Sequence, residues 1–428
     1  MSTALLLAAL AALFLLGVPM AVALGAAGLG ALLLSGDAPP MLAVQRMVAG
    51  ADSFPLMAVP LFMIAGRLME AGGLSRRMVD LADALVGWLP GGLAAVAVVA
   101  AMLFGGISGS AAADTAAVGA LLVPAMIRKG YDPALAGAVQ AAGGSIGVVI
   151  PPSIPMILFG VLTGASIGQL FAAGLLPGLL MGLSLVAATT VLALRGGAPD
   201  VRGRRFSPAA ARAALRRAGW ALGAPAIVLG GILGGVFNAT ESAAAAVAYA
   251  LGTGLFVYRG LSWRALPGLF LEAGVTAAVV MFLIAQAQVL AWVLTVQEAP
   301  ATLAGWLLGL TTDPVALLLL VNAVLLVAGT FIETSAALVL LVPVLVPLLP
   351  HLGIGLVQLG AIVVVNLSIG MLTPPLGICL VVACGLAGSR LGAVAARVAP
   401  LLLVLVADLL LVSFWPPLTT ALPALLAP

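Results

Sequence analysis

The chain carries little charge. Only 7% of its 428 residues are Asp, Glu, Lys or Arg, against 64% hydrophobic. A soluble domain covers its surface with charge, so that class is excluded. There is one histidine, His351, in a Pro-rich loop, and there are two cysteines, Cys379 and Cys384. This inventory leaves no His/Cys metal cluster and no disulfide framework. The cysteines lie five apart in one apolar stretch and are expected to pack as small residues. A Walker A sequence and a Rossmann fingerprint are both missing, so the chain carries no ATP motor of its own. What remains is a polytopic membrane protein with room for roughly ten to twelve spans of about 20 residues. The Met1 segment has neither a basic n-region nor a cleavage site before a soluble domain, and reads as a first span.

The few basic residues set topology. Arg195, Arg202, Arg204, Arg205, Arg212, Arg216 and Arg217 face one acid, Asp200, in a loop over 195–217. By the positive-inside rule this loop is cytoplasmic, and its spacing permits an amphipathic helix on the membrane surface. Working outward, 134–163 and 169–194 span before it, and Arg128-Lys129 is cytoplasmic. After it, 219–237, 240–258 and 266–297 span, 355–389 returns to Arg390 and Arg397, and 400–418 crosses last. Counting back puts Met1 in the cytoplasm. Residues 92–127 start and end on the cytoplasmic side, and 313–351 start and end on the periplasmic side. Each reads as a re-entrant hairpin, and the opposite entry sides make the halves inverted repeats. Short segments 75–89 with Trp88 and 301–312 with Trp306 read as interfacial.

One unusual sequence occurs twice. Ser145-Ile-Gly147-Val-Val-Ile-Pro151-Pro152 is matched by Ser368-Ile-Gly370-Met-Leu-Thr373-Pro374-Pro375. A double proline removes two backbone donors, and lipid offers no water to replace them. Such a break is tolerated where the backbone is buried in protein or lines a polar cavity, so both spans are expected to be broken. The hairpins match as well: Pro124 follows Asp114, and Pro343 follows Glu333, by ten residues in each case.

A hairpin tip and a broken span present free backbone groups. Half-helix N-termini favour anionic groups, and half-helix C-termini with unwound carbonyls favour Na+. At the first tip, Ser108, Gly109, Ser110, Asp114 and Thr115 would face Ser145 and Gly147. At the second, Glu333, Thr334 and Ser335 would face Asn366, Ser368, Gly370 and Thr373. Gly and Ser in membrane helices commonly serve close packing, and proline pairs commonly kink. An acid in the membrane is costly and functional by default, which singles out Asp114 and Glu333. Glu272 and Asp408 have no repeat partner and read as helix-end or inter-helix contacts. Gln286 and Gln288 are candidates to face the second site. Arg67 is the arginine nearest membrane depth and reads as marking a helix end.

Taken in order, several motifs resemble the large membrane subunit of tripartite ATP-independent periplasmic (TRAP) transporters, of the DctM type. They are Phe104-Gly-Gly-Ile-Ser-Gly-Ser-Ala-Ala-Ala-Asp-Thr-Ala-Ala-Val-Gly119, Gly130-Tyr-Asp-Pro133, Ile150-Pro-Pro-Ser-Ile-Pro155, Thr240-Glu241-Ser-Ala-Ala-Ala and Gly370-Met-Leu-Thr-Pro-Pro-Leu-Gly377, joined by Ser53-Phe-Pro-Leu-Met-Ala-Val-Pro-Leu-Phe62. The resemblance covers essentially the whole chain. It departs at Asn238-Ala-Thr-Glu241, where such proteins have a Thr-Pro-Thr-Glu sequence, and this takes rigidity from a periplasmic turn.

The resemblance implies an elevator mechanism, Na+ as coupling ion and organic anions as substrates, such as dicarboxylates, sialic acid or keto acids. It implies two partners in the inner membrane system: a small four-helix membrane subunit (DctQ type), expected as a separate polypeptide, and a periplasmic binding protein (DctP type). The expected fold is an all-α polytopic membrane protein with inverted repeats, two re-entrant helical hairpins, two broken helices and an elevator-type transport domain on a scaffold. Its expected parts are N-terminal scaffold 1–91, first repeat 92–194, basic loop 195–217, scaffold 218–312, second repeat 313–390 and a C-terminal span 391–428. Na+ is expected at Ser108, Gly109, Ser110, Ser145 and Gly147, and at Thr334, Ser335, Ser368, Gly370 and Thr373. Substrate and gating roles fall to Asp114, Thr115, Glu333, Asn366, Pro151, Pro152, Pro374 and Pro375. The alternative is a single-component Na+/carboxylate symporter of related architecture. An intramembrane enzyme lacks its catalytic pair, and a passive channel leaves two broken-span sites unexplained.

Overall fold

Wherever lipid surrounds a chain, the backbone must satisfy its own hydrogen bonds, and helices do so within one segment. The computed structural model describes residues 3–36, 39–197 and 205–425, and all regular structure among them is helical. Helices α1 (Thr3–Leu15) and α2 (Met20–Ser35) are separated at Gly17, whose φ of +76° lies in the left-handed region that favours glycine. Then come α3 (Met41–Ala51), α4 (Ala58–Ala71) and α5 (Leu74–Val86). The next five are α6 (Gly92–Ser108), α7 (Ala111–Arg128), α8 (Pro133–Ser145), α9 (Ile154–Thr163) and α10 (Ile167–Leu192). Four more follow: α11 (Pro208–Leu233), α12 (Ala239–Gly252), α13 (Leu266–Val296) and α14 (Ala299–Leu310). The last seven are α15 (Pro314–Phe331), α16 (Thr334–Leu345), α17 (Leu349–Leu352), α18 (Leu356–Gly370), α19 (Ile378–Ala387), α20 (Leu391–Phe414) and α21 (Pro417–Ala424).

Eight helical segments among the described residues are long and apolar enough to cross a membrane. Composition alone suggested more. The difference lies in six apolar helices of 10–17 residues, among them α6, α9, α18 and α19. At about 1.5 Å per residue such pieces fall short of a ~30 Å hydrocarbon layer. Proline pairs and tip residues cut α6, α9, α18 and α19 to these shorter lengths.

The repeat is visible in the helix starts. Those of α6, α7, α8, α9 and α10 recur in α15, α16, α18, α19 and α20 after 222 to 224 residues. The two sets interlock, because α7 packs on α19 and α16 packs on α9. Helices α10 and α20 also pack together, and there Ser184 hydrogen-bonds the carboxylate of Asp408. These two residues correspond under the shift of 224 that relates the starts of their helices.

Backbones approach closely where hairpin meets broken helix. A Cβ on Gly105 would lie 2.6 Å from the Cα of Gly147, and one on Gly370 would lie 2.6 Å from the Cα of Gly329. Only glycine fits such crossings, which put α6 against α8 and α15 against α18.

Several sequence expectations change. Among the described residues of the 195–217 stretch, no surface helix separate from α11 is present. Ser207 caps α11 through the Ala210 N–H (3.3 Å), and the helix runs on to Leu233 with Arg212, Arg216 and Arg217 in its first half. Nothing between Ala209 and Trp220 stops a helix once Pro208 has started it. Asp200, Arg202 and Arg204 lie outside the described residues. The turn before α12 regains what the missing proline took away. The Asn238 side chain accepts from the Glu241 N–H (2.9 Å), and the Glu241 carboxylate accepts from the Asn238 N–H (2.9 Å). Gln286 and Gln288 press on Gly25 and Gly50 and so pack α13 on α2 and α3. His351 is exposed on the short α17. Glu272 pairs with Arg67 (2.9 Å), which also pairs with Glu70 (2.8 Å).

Replacing Gly370 by Ala should lower stability by about 1–3 kcal/mol, the range for forcing extra atoms into a packed contact. Gly385 has open space around its Cβ position, so Gly385→Ala should be neutral or slightly stabilising. Thermal unfolding in detergent compares the two, and equal melting would remove the glycine crossing as a constraint.

Candidate functional site

The first tip is built by its own turn. Gly109, at φ +62°, ends α6 by donating its N–H to the Gly105 carbonyl (3.3 Å), and extended Ser110 starts α7. The Ser110 N–H donates to Ser108 Oγ (3.1 Å), and Ser108 Oγ donates to Asp114 Oδ1. Asp114 is fully buried, and its Oδ2 has no hydrogen-bond partner among the described residues. That oxygen faces the unwound turn after α8. A Cβ on Gly147 would collide with it, and one on Gly105 would lie 3.2 Å away.

The turn after Ser145 is a short 3-10 stretch (Ile146–Val148), followed by Pro151 and Pro152, which share a cis peptide bond. Gly109 presses on the Pro152 carbonyl, and Gly106 lies near the Pro151 carbonyl. Ser153 bridges the break: its Oγ donates to the Val148 carbonyl and accepts from the Met156 N–H (3.3 Å), capping α9. Thus Ser108, Gly109, Ser110, Asp114, Gly147, Pro151 and Pro152 come together. Thr115 and Ser145 are fully buried beside them, each donating its hydroxyl to its own helix, at Ala111 O (2.8 Å) and Ala142 O (2.9 Å). A hydroxyl used this way keeps oxygen lone pairs for a cation. Gly144 packs on Thr115. The other repeat also reaches this site, because Cys379 of α19 lies against the Thr115 hydroxyl. Cys379 and Cys384 are both free.

The second tip differs. Glu333 is the N-cap of α16, and its carboxylate accepts from the N–H groups of Ser335 (2.8 Å) and Ala336 (3.4 Å) and from Ser335 Oγ (3.2 Å). Asp114 instead lies in the first turn of α7. Helix starts pair Glu333 with Ser110 and leave Asp114 four residues, about one turn, farther along. Counting from the acids to their prolines therefore pairs positions that the helices do not. Ser108 and Gly109 of the first tip correspond to Phe331 and Ile332 in the second.

Thr334 lies beside Met371, with its Oγ1 3.5 Å from the sulfur, and Gly370 sits on Gly329. Ser368 donates within α18 to Val365 O (2.7 Å), and Thr373, just past its end, donates back to Ile369 O (3.1 Å). Pro374 and Pro375 share a cis bond like their counterparts, and Thr373 and Pro374 join Thr330 and Phe331 around a cleft of about 360 Å3. Asn366 commits its amide N–H groups to α15, while its buried Oδ1 has no hydrogen-bond partner among the described residues. Its Nδ2 donates to the side-chain and backbone oxygens of Asn322 on α15 (2.9 and 3.0 Å), and Asn322 Nδ2 donates to Ser413 (3.0 Å).

Sequence reasoning passed over Gln140, Asn322 and Ser153. Gln140 is fully buried, and its Nε2 donates to the carbonyls of Thr115 (3.3 Å) and Asp114 (3.5 Å). The signal was present: an amide inside an apolar stretch is expensive unless it is bonded.

The first site offers a buried carboxylate oxygen without a donor, carbonyls of an unwound turn and hydroxyl lone pairs. A charge so placed is stable only when a cation or a proton joins it. Buried polar half-sites of this kind, in a chain with eight membrane-length helices, belong to a multi-pass membrane protein that handles ions or polar solutes.

The family model described as "Tripartite ATP-independent periplasmic transporter, DctM component" matches residues 7–418. The chain belongs to that family, and is a multi-pass inner-membrane permease and not an enzyme. It is 43% identical over 95% of its length to the isethionate TRAP transporter permease protein DctMQ of Oleidesulfovibrio alaskensis, and spans 64% of that protein. It is 40% identical to the C4-dicarboxylate TRAP transporter large permease protein DctM of Pseudomonas aeruginosa, over 92% of this chain and 91% of that one. The sialic acid TRAP transporter permease protein SiaT of Haemophilus influenzae is 34% identical over 90% of this chain, which spans 62% of it. In fold the chain is similar to the YdaH transporter of Alcanivorax borkumensis, with a TM-score of 0.61 over 88% of each chain at 18% identity.

Removing the carboxylate cap with Glu333→Ala should cost about 1 kcal/mol. Amide exchange at residues 334–336 should quicken, and unchanged exchange would show that the carboxylate is not what holds those N–H groups.

Proposed function

We propose that this chain is the large membrane subunit of a Na+-coupled importer of organic anions, working by an elevator mechanism. The observation that carries the reading is Asp114, a fully buried carboxylate with one oxygen unpartnered against Gly147. Na+ is a hard monovalent cation that takes several oxygens. Asp114 Oδ2, the carbonyls of the turn after Ser145, and the lone pairs of Ser108 and Ser145 supply such a set. A second Na+ takes Thr334, Ser335, Ser368, Gly370 and Thr373, where hydroxyls and unwound carbonyls recur without a free carboxylate. The anion sits between, near the N-termini of α9 and α19, whose aligned peptide dipoles favour negative charge.

The helix pairs α6–α7 and α15–α16 act as re-entrant hairpins and move with α8–α9 and α18–α19 as a transport domain. Helices α1 to α4 and α11 to α13 form the scaffold against which it travels. The substrate class follows the ligands in the relatives' names: isethionate, C4-dicarboxylate and sialic acid are all organic anions. A small membrane subunit of the DctQ type and a periplasmic binding protein of the DctP type complete the assembly, as the family description implies.

Reconstitution in liposomes tests this. Uptake of an organic anion should require an inward Na+ gradient together with the cognate binding protein. Asp114→Asn should abolish Na+-driven uptake, and Ser108→Ala or Thr373→Ala should raise the Na+ concentration for half-maximal rate. Uptake by this chain without a binding protein would favour the single-component symporter. Unchanged Na+ dependence in Asp114→Asn would remove that carboxylate from the ion site.

A further inference from the structure

Four arginines that make no ion pair among the described residues line one groove at the end of the membrane-length segment Ala239–Val257. Helix pitch places Arg76, Arg77 and Asp80 along one side of α5, and Arg216, Arg217 and Trp220 along one side of α11. The two helices pack on each other, and Val257 and Tyr258 close the groove, whose volume is about 470 Å3. It thus gathers four guanidinium groups and one carboxylate. Among the described residues none of the four arginines makes an ion pair within 4 Å.

One of them is held ready. Arg77 Nη1 donates to the Gly73 carbonyl (2.7 Å), and its guanidinium lies 3.7 Å over the Tyr258 ring. The Tyr258 hydroxyl in turn donates to the Arg217 carbonyl (2.9 Å), tying the stretch that follows α12 to α11. Four like charges lining one groove repel, and an anion among them relieves that repulsion. Guanidinium forks match phosphate oxygens two at a time, so a phosphate is the anion they suit best.

The surroundings distinguish a lipid from a free anion. Val257 is the last residue of a membrane-length segment, Ala239–Val257. Trp220 is 54% exposed, as an indole at headgroup depth would be. Leu215 and Phe256, the chain neighbours of Arg216 and Val257, are 51% and 69% exposed and offer apolar surface next to the groove. Phosphate contact with adjoining acyl-chain contact is the chemistry of a phospholipid, and basic pockets between membrane helices take such headgroups.

We propose that the groove between α5 and α11 binds the headgroup of an anionic phospholipid, with its phosphate on Arg76, Arg77, Arg216 and Arg217. The lipid joins the segment that leads into the first hairpin to α11 of the proposed scaffold. Its occupancy does not depend on the ion sites.

Delipidated full-length protein in neutral detergent is titrated with cardiolipin, phosphatidylglycerol, phosphatidylcholine or inorganic phosphate, and native mass spectrometry and melting temperature are read. The two anionic lipids should be retained and raise the melting temperature; phosphatidylcholine and phosphate should not. Arg216→Gln with Arg217→Gln should weaken anionic-lipid binding about tenfold or more, while Arg264→Gln, elsewhere on the surface, should not. Where the double variant melts early without lipid, Arg76→Gln, at an exposed side chain, makes the same comparison. Undiminished binding in these variants, or equal retention of phosphatidylcholine, would overturn the proposal. A melting shift with phosphate equal to that with lipid would make the groove a site for free anions instead.

Discussion

A backbone that stops being helical at membrane depth frees N–H and C=O groups that lipid cannot satisfy. The unusual elements of this protein follow from where those groups find partners. After α8, Ser153 spans the gap by bonding Val148 and capping α9. After α18 no serine is available, and the Cys379 N–H closes on the Met371 carbonyl (3.2 Å). Both breaks then need a neighbouring backbone close by, which explains glycines on both sides of each crossing. The tips end up against the breaks because only that arrangement lets every partner be protein.

From this packing the two half-sites inherit unequal chemistry. A carboxylate at the N-cap is drawn into the exposed N–H groups of its own helix, as Glu333 is. One turn farther in, the same group is past the free amides and must look sideways, as Asp114 does toward Gly147. Displacement by a single turn therefore separates a structural acid from one with an oxygen to spare. It also explains why hydroxyls alone remain around the second break.

Much of this was legible in the sequence. The low charge announced a membrane protein, and the paired Ser-Ile-Gly…Pro-Pro sequences marked both breaks, because proline removes a donor whatever the surroundings. The first cluster, from Ser108 to Gly147, assembles much as the glycine-rich tip suggests. What was not legible depends on helix phase. Distance from acid to proline equates Asp114 with Glu333, but the register is set by where Ser110 and Glu333 end their turns. Asn366 pointed to the second site by its place near Ser368, whereas a partner 44 residues away, Asn322, decides where its amide goes. The basic run after Arg195 permits a surface helix by its spacing, whereas no further proline follows Pro208 until Pro225, and α11 runs through.

The contact between Ser184 and Asp408 has a consequence for the duplicated architecture as a whole. Here a residue meets its own counterpart from the other half. Two serines could share that place by exchanging a hydroxyl proton. Two aspartates would set carboxylate against carboxylate in a buried seam. At this seam the two halves fit because they differ, one offering a hydroxyl donor and the other a carboxylate acceptor.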